Sequence, residues 1–179
     1  MSIEFVPVTK GTDQEILAGI AGEIWSEYWP DRIGADQTIY MIQQFQSLEA
    51  IQRDMAEHAY EYWFLCADDG EEGTWQTTDG KHIVGFTGGH VEPETNRFFI
   101  SKIYLLACER GKHYASRVIE FYTQLCQDRG LRAMYLTVNK YNEMGIRAYV
   151  AKGFETIDSV ETDIGKGYIM DDYIMEKQA

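Results

Sequence analysis

The residues able to do chemistry gather in two stretches of the chain. In the first, the apolar run Ile103-Tyr104-Leu105-Leu106 passes into Glu109-Arg110-Gly111-Lys112-His113-Tyr114-Ala115-Ser116, and the residues beyond take helical spacing. A helix N-terminus leaves N–H groups without partners and carries about half a positive charge, so strand, loop and helix in that order make an anion seat. Arg110, Lys112 and Arg117 set cations beside it, on a chain whose 16 Lys and Arg are outnumbered by 29 Asp and Glu. A Walker-type phosphate loop is excluded, because no Gly-Lys-Ser/Thr follows a glycine-rich run. In the second stretch, Asn142 opens a helical segment that carries Tyr149 and closes at Gly153-Phe154. A tyrosine hydroxyl can donate a proton, although a ring in such a place more often packs in a core.

The remaining candidates are plainer. His58, His82, His90 and His113 make no metal-ligand spacing, so no metal is expected; His90, beside a glycine-rich strand, is a candidate for meeting a substrate. Trp25, Tyr28, Trp29 and Tyr40 read first as helix-packing residues and second as rings over which a cation could sit. Cys66, Cys108 and Cys126 are odd in number and lie within apolar patterns, which fits buried, reduced thiols. The acidic groups Asp68-Asp69 and Glu71-Glu72 read as a solvated loop.

These residues need a scaffold, and the pattern supplies one. Ile3 to Val8 predicts a strand; Thr12 to Glu15 has capping-box spacing, and Ile16, Leu17, Ile20, Ile24 and Tyr28 continue it as an amphipathic helix stopped by Pro30. A second helical region runs from Asp36 through Ile39, Ile42 and Phe45, and a third follows Ser47 to about His58. Tyr60 to Ala67 and His82 to Val91 read as strands joined by a long loop, Asp68 to Lys81. Arg97 to Cys108 is the strand that enters the first stretch. Gly85, Gly88 and Gly89 would weaken their strand unless a backbone or ligand must come close. After the elbow, Ala115, Val118, Ile119, Tyr122, Leu125 and Cys126 share one helix face that ends at Gly130; Ala133 to Val138, Phe154 onward and Tyr168 to Met175 complete the strands. A mixed α/β or α+β sheet with helices on both faces is the expected architecture, in one domain over residues 1–179.

Bulk properties narrow the function classes. With 45% apolar residues, 179 positions bury a core without staples, and no run of 18 apolar residues or basic-then-apolar N-terminal stretch predicts a membrane span or export. A soluble, cytoplasmic protein is expected. The formal charge of −13 disfavours nucleic acid as a partner and suits cationic ligands, as it also suits plain solubility.

The two stretches together resemble the GNAT superfamily of acetyl-CoA-dependent N-acetyltransferases, over most of the chain. The family phosphate loop has Gln or Arg, two variable residues, Gly, one variable residue, then Gly or Ala; Arg110, His113 and Ala115 occupy those positions, with histidine in place of the central glycine. Asn142, Tyr149 and Gly153-Phe154 match the family's downstream run. The resemblance implies a mostly antiparallel twisted sheet of six to seven strands and acetyl-CoA as co-substrate. It implies pyrophosphate held by Arg110, Gly111, Lys112, His113, Tyr114, Ala115 and Ser116. Pantetheine would pair with the backbone of Ile103 and Leu105 and meet Asn142, and Tyr149 would be the general acid. The family's glutamate base has no counterpart, since Ser101 and Lys102 stand there; Glu92 or a water chain is the substitute considered. More narrowly, the segment Gln37 to Glu57, the IYLL strand and the ending Asp171 to Lys177 are similar to PaiA-type spermidine/spermine acetyltransferases, which points to a polyamine acceptor. Acetylation of a protein or peptide amine and a non-catalytic acyl-CoA-binding module are the alternatives, and homodimers are common in the family.

Overall fold

Short-range signals set most of the element ends, and a few shift. The computed structural model describes residues 2–68 and 75–179. After β1 (Ile3–Pro7), helix α1 (Gly11–Tyr28) begins with the Asp13 carboxylate accepting from the N–H groups of Lys10 at 3.1 Å and Thr9 at 3.2 Å. Thr12 and Glu15 therefore lie inside the helix rather than forming the expected box; Asp13, a short acid in the first turn, takes the orphan donors first. Pro30 stops α1 and then starts α2 (Pro30–Ile33), because a first-turn position loses nothing from the missing N–H. The second helical region is split: α3 (Ala35–Met41) widens into a π-helical turn, Ile42–Gln46, before α4 (Leu48–Glu57), whose N–H at Ala50 donates to the Ser47 hydroxyl. Ile39, expected on the apolar stripe, is exposed.

The remaining elements are β2 (Glu61–Ala67), β3 (Ile83–Glu92), β4 (Arg97–Leu105), α5 (Tyr114–Arg129), β5 (Ala133–Asn139), α6 (Glu143–Ala151), β6 (Glu155–Gly165) and β7 (Tyr168–Gln178). The seven strands are hydrogen-bonded in the order β1-β2-β3-β4-β5-β7-β6. Of the pairings with a described register, β4–β5 is parallel and the others are antiparallel. Strand β4 ends three residues sooner than its apolar run suggests. Ala107–Glu109 forms a 3₁₀ turn there, with the Glu109 N–H donating to the Leu106 carbonyl at 2.9 Å. Asp69, Glu71 and Glu72 of the expected acidic loop lie outside the described residues.

The chain divides into two compact units. One runs through Gly89 and adds Lys102–Tyr114. In it α1 contributes Leu17, Ile20, Ala21 and Ile24 to a core shared with Val8, Ile51, Tyr62, Phe64, Ile83, Phe86 and Leu106. Each large aliphatic side chain so buried is worth about 1.5–3 kcal/mol. Two strand glycines make close approaches possible: a Cβ at Gly85 would run into the Tyr104 carbonyl, and one at Gly88 into the Tyr62 ring. The other unit holds His90–Ser101 and Ala115–Ala179. There α5 buries Val118, Ile119, Tyr122 and Cys126, with Tyr122 packed on Phe98 at 5.0 Å between ring centroids. Gly130 and Gly153, at φ +68° and +96°, end α5 and α6 as the sequence predicts. Cys66 and Cys126 are buried and their thiols pushed up to about 12 and about 11 by desolvation, whereas Cys108, expected to be buried, is exposed.

Candidate functional site

In the first unit the elbow is built from one buried acid and two left-handed residues. Glu109, 1% exposed, takes the Lys112 ammonium at 2.9 Å, so the loop is tied across its own turn. Gly111 and His113 both have positive φ, +82° and +66°. The histidine thus holds the conformation for which the family pattern uses glycine, at a cost of about 1–2 kcal/mol for a residue with a Cβ. Replacing His113 with glycine removes that strain but frees the unfolded chain, so stability is expected to stay within about 1 kcal/mol of wild type. Coenzyme A affinity by calorimetry is expected to hold or improve. A tenfold loss would show that the imidazole itself makes a contact.

Each cation of the elbow already has a carboxylate. Arg110 makes a two-pronged pair with Glu27 of α1, at 2.8 and 3.2 Å, and its guanidinium lies 5.0 Å from the centre of the Tyr28 ring. Arg117 pairs with Glu120 at 3.3 Å on the exposed face of α5. The basic spot read from sequence is therefore neutralised locally, and what remains for an anion is the backbone N–H array at the start of α5. Tyr114 contributes only backbone there, because its ring is buried. Ile103 and Leu105 are half-buried on β4.

The aromatic candidates of α1 are mostly engaged with one another. Trp25 is buried, stacked on Trp29 at 5.2 Å and edge-on to Tyr104 at 5.9 Å. Tyr28 lies edge-on to Trp29 and carries the Arg32 guanidinium 3.6 Å from its ring centre, so its faces already hold the protein's own cations. Tyr40 is half-buried on α3. A cavity of about 700 Å³ opens in this unit beside Glu23, Glu27, Trp75, Leu106, Ala107 and Cys108, with the Trp75 indole N–H donating to Glu23 at 3.0 Å.

In the second unit Asn142 is the N-cap of α6. Its side-chain oxygen accepts from the Gly145 N–H at 3.0 Å, and a Cβ at Gly145 would come within 2.6 Å of the Asn142 amide nitrogen, so a larger residue there would push the cap aside. Capping uses Oδ1, so a hydrogen bond from this side chain to a ligand has to come from Nδ2. Tyr149, about two turns further along the same helix, is half-buried and edge-on to Phe154 at 5.6 Å. His90 lies edge-on to Phe99 at 5.4 Å. Glu92 accepts from the hydroxyls of Thr95 and Tyr135 and from Arg97, and these donors hold its carboxyl down to about 2. A carboxylate stabilised to that degree is a poor proton acceptor.

The family model for the acetyltransferase (GNAT) family matches residues 21–154, a span that includes the elbow, Asn142 and Tyr149. The chain belongs to the GNAT acetyltransferase family. The chain is similar to an uncharacterized N-acetyltransferase, YycN, of Bacillus subtilis (strain 168), with 33% identity over 82 residues. That match covers 45% of this chain and 53% of YycN, so the chain spans about half the length of the curated relative it matches. Among solved structures, a PaiA N-acetyltransferase of Thermoplasma acidophilum in complex with coenzyme A aligns over the whole of both chains, with 21% identity and a TM-score of 0.74. A spermidine N-acetyltransferase SpeG chimera from Vibrio cholerae and hSSAT aligns over 99% of this chain and 96% of its own, with 14% identity and a TM-score of 0.67. At these identities the likeness is one of fold: the seven-stranded mixed α/β architecture is that of GNAT proteins.

Against the GNAT pattern, three residues stand out that sequence spacing did not single out for a role. Glu27 holds Arg110, yet nothing separates it in sequence from any other exposed acid on α1. Glu109 is a buried charge next to an apolar run. Lys102 is 6% exposed in β4, and here a signal existed: in Phe98-Phe99-Ile100-Ser101-Lys102 the period of two puts the lysine in phase with buried Ile100. No helix among the described residues is long and apolar enough to cross a membrane.

Proposed function

We propose that this GNAT protein, acting as one domain over residues 1–179, transfers the acetyl group of acetyl-CoA to a primary amine of a small cationic acceptor, with a polyamine as the favoured substrate. The observation that carries the reading is the elbow: two left-handed positions on either side of Lys112, Gly111 and His113, turn β4 into the N-terminus of α5 within a chain of the acetyltransferase family. The residues Arg110, Gly111, Lys112, His113, Tyr114, Ala115 and Ser116 hold the pyrophosphate, chiefly through backbone N–H groups. The backbone of Ile103 and Leu105 pairs with the pantetheine amides as an added strand does. Asn142 donates to the pantetheine arm from Nδ2.

In the reaction the neutral amine attacks the thioester carbonyl carbon, the carbonyl oxygen gains charge, and collapse expels the coenzyme A thiolate. Tyr149 gives its phenolic proton to that sulfur. Because a thiol is a fair leaving group unaided, Tyr149→Phe is expected to lower kcat only about tenfold, with the melting temperature kept by the retained ring contact to Phe154. An unchanged kcat across pH removes the acid role. The amine's proton leaves through water, since Glu92 is too weak a base to take it.

Glu27 bears on cofactor binding from outside the elbow. A carboxylate on Arg110 competes with an incoming phosphate for the same fork, so Glu27→Gln is expected to tighten coenzyme A binding by about three- to tenfold at low salt, measured by calorimetry. Weaker binding would mean that Glu27 orients Arg110 instead.

Support for a polyamine comes from the net charge of −13 and from the fold shared with a spermidine N-acetyltransferase chimera. The test is thiol release from acetyl-CoA in the presence of spermidine, spermine, lysine, a peptide or an aminoglycoside. Turnover fastest with spermidine or spermine supports the reading, and turnover only with the peptide replaces it by a protein acetyltransferase. Tight coenzyme A binding with no turnover replaces it by an acyl-CoA-binding module, the reading that the strongly stabilised Glu92 favours.

A further inference from the structure

Three carbonyls of the π-helical turn Ile42–Gln46 also accept from side chains. The Gln43 carbonyl accepts from the Ser47 hydroxyl at 2.9 Å, the Gln44 carbonyl from Arg53 at 3.2 Å, and the Phe45 carbonyl from the Lys102 ammonium at 2.9 Å. Ser47 and Arg53 are close in sequence; Lys102 comes from β4, 57 residues away. The turn is also under-satisfied, for the side-chain oxygen of Gln46, a residue 4% exposed, has no hydrogen-bond partner among the described residues. π turns are rare and recur at functional positions, and an orphaned buried acceptor is a cost that something else must offset.

Lys102 is an unusual group to find in that place. It is 94% buried by its 6% exposure, and its described partners are a carbonyl, the Tyr62 hydroxyl at 2.9 Å and the ring faces of Tyr60 and Tyr62 at 5.9 and 5.1 Å, without a contacting carboxylate. Asp54 and Arg53 of α4 act on it at longer range with opposite signs. Burial pulls its ammonium from 10.5 to about 8, while the Tyr62 phenol is raised and stays protonated. Its own carbonyl is fixed as well, accepting from the Thr87 hydroxyl of β3 at 2.6 Å. An apolar side chain would cost less in such surroundings, so the ammonium is retained for what it holds.

We infer that Lys102 is a positioning residue for acetyl transfer: its ammonium, carried by β4, clamps the Phe45 carbonyl and so fixes the π turn and α3 as a wall that carries Tyr40, one of the rings read from the sequence as a seat for a cationic amine. This rests on the proposed acetyl transfer to an amine for the role of the wall, whereas the clamp itself is a property of the fold. Loss of the clamp loosens the wall without touching the elbow; Lys102 itself sits on β4 beside Ile103, which is why the acetyl-CoA KM is read separately.

The experiment compares wild type, Lys102→Met and Tyr62→Phe by hydrogen exchange over residues 38–48 and by kcat and KM for amine and acetyl-CoA separately. In Lys102→Met, exchange over 42–46 is expected to rise about tenfold with α1 unchanged. The amine KM is expected to rise about fivefold with the acetyl-CoA KM kept. Tyr62→Phe, which leaves the Phe45 contact in place, shows the same direction at smaller size, and it carries the test if Lys102→Met fails to fold. Unchanged exchange over 42–46 overturns the clamp, and a change confined to the acetyl-CoA KM overturns the assignment to the amine side. If no amine is a substrate, the proposed function fails on the turnover screen while the exchange result still decides the clamp.

Discussion

Gly85→Ala is expected to lower the melting temperature by about 6–12 °C, the largest single-methyl effect in the first unit. The added Cβ would overlap the Tyr104 carbonyl and come within 2.9 Å of a Leu105 methyl and 3.1 Å of the Leu105 Cα. Two of those three neighbours are backbone, so no rotamer change relieves the clash and β3 must move away from β4. Overpacking of this kind costs about 3 kcal/mol, at the upper end of the usual range. The same displacement disturbs the Leu105 backbone, to which pantetheine pairing is assigned, so coenzyme A affinity should fall with stability. Gly22→Ala is the control: it sits inside α1 with nothing within 4 Å of a new Cβ, and is expected to stabilise by about 0.5–1 kcal/mol. Calorimetry on both variants decides the matter; a Gly85→Ala protein melting with wild type would mean that β3 and β4 have slack there.

The second large effect concerns pH. Below pH 8, Lys102 is protonated in both folded and unfolded chains, and the folded state bears the full cost of burying the charge. Between pH 8 and 10.5 the folded state gives up that proton while the unfolded chain keeps it, so the unfolded state binds more protons and stability rises with pH. The contribution approaches about 3 kcal/mol at the top of that window. Relative to Lys102→Met, wild type should therefore be weaker at pH 7 and close the gap by pH 10.5. The buried thiols Cys66 and Cys126 act in the opposite direction, since their folded forms stay protonated to higher pH, but they are common to both proteins and cancel in the difference. Denaturant midpoints at the two pH values test this. A gap of constant size would show that Lys102 keeps its proton throughout. Greater overall stability in the methionine variant is compatible with a looser π turn, because the charge costs global stability while it orders one segment.

Most of the elements were legible because their causes are local. Ser47 caps α4 through an N–H three residues on, Asn142 caps α6 in the same way, and Gly130 and Gly153 end their helices by taking positive φ. The strained position in the elbow was legible too, since a histidine where the family places glycine is visible in the sequence before any coordinate. The failures have local causes of another kind. Two acids compete for the start of α1, and the shorter, Asp13, takes it. An apolar run continuing past Leu105 does not say where pairing stops and a 3₁₀ turn begins. A π turn and an α turn share the same apolar residues, so Ile42–Gln46 read as ordinary helix.

What the sequence alone determined, then, is local: a strand–loop–helix elbow, a capped helix bearing Asn142 and Tyr149, and an acidic composition overall. Tertiary structure decided which of those groups are occupied. Arg110 meets Glu27 across 83 residues, Tyr135 and Arg97 converge on Glu92, Tyr28 has two guanidiniums against its ring, and Lys102 reaches Phe45 and Tyr62. The reason is physical. Helix caps and left-handed turns are satisfied within a few residues of chain, whereas charge pairing, burial and proton affinity depend on what the folded chain brings within about 4 Å, and spacing along the sequence holds no record of that.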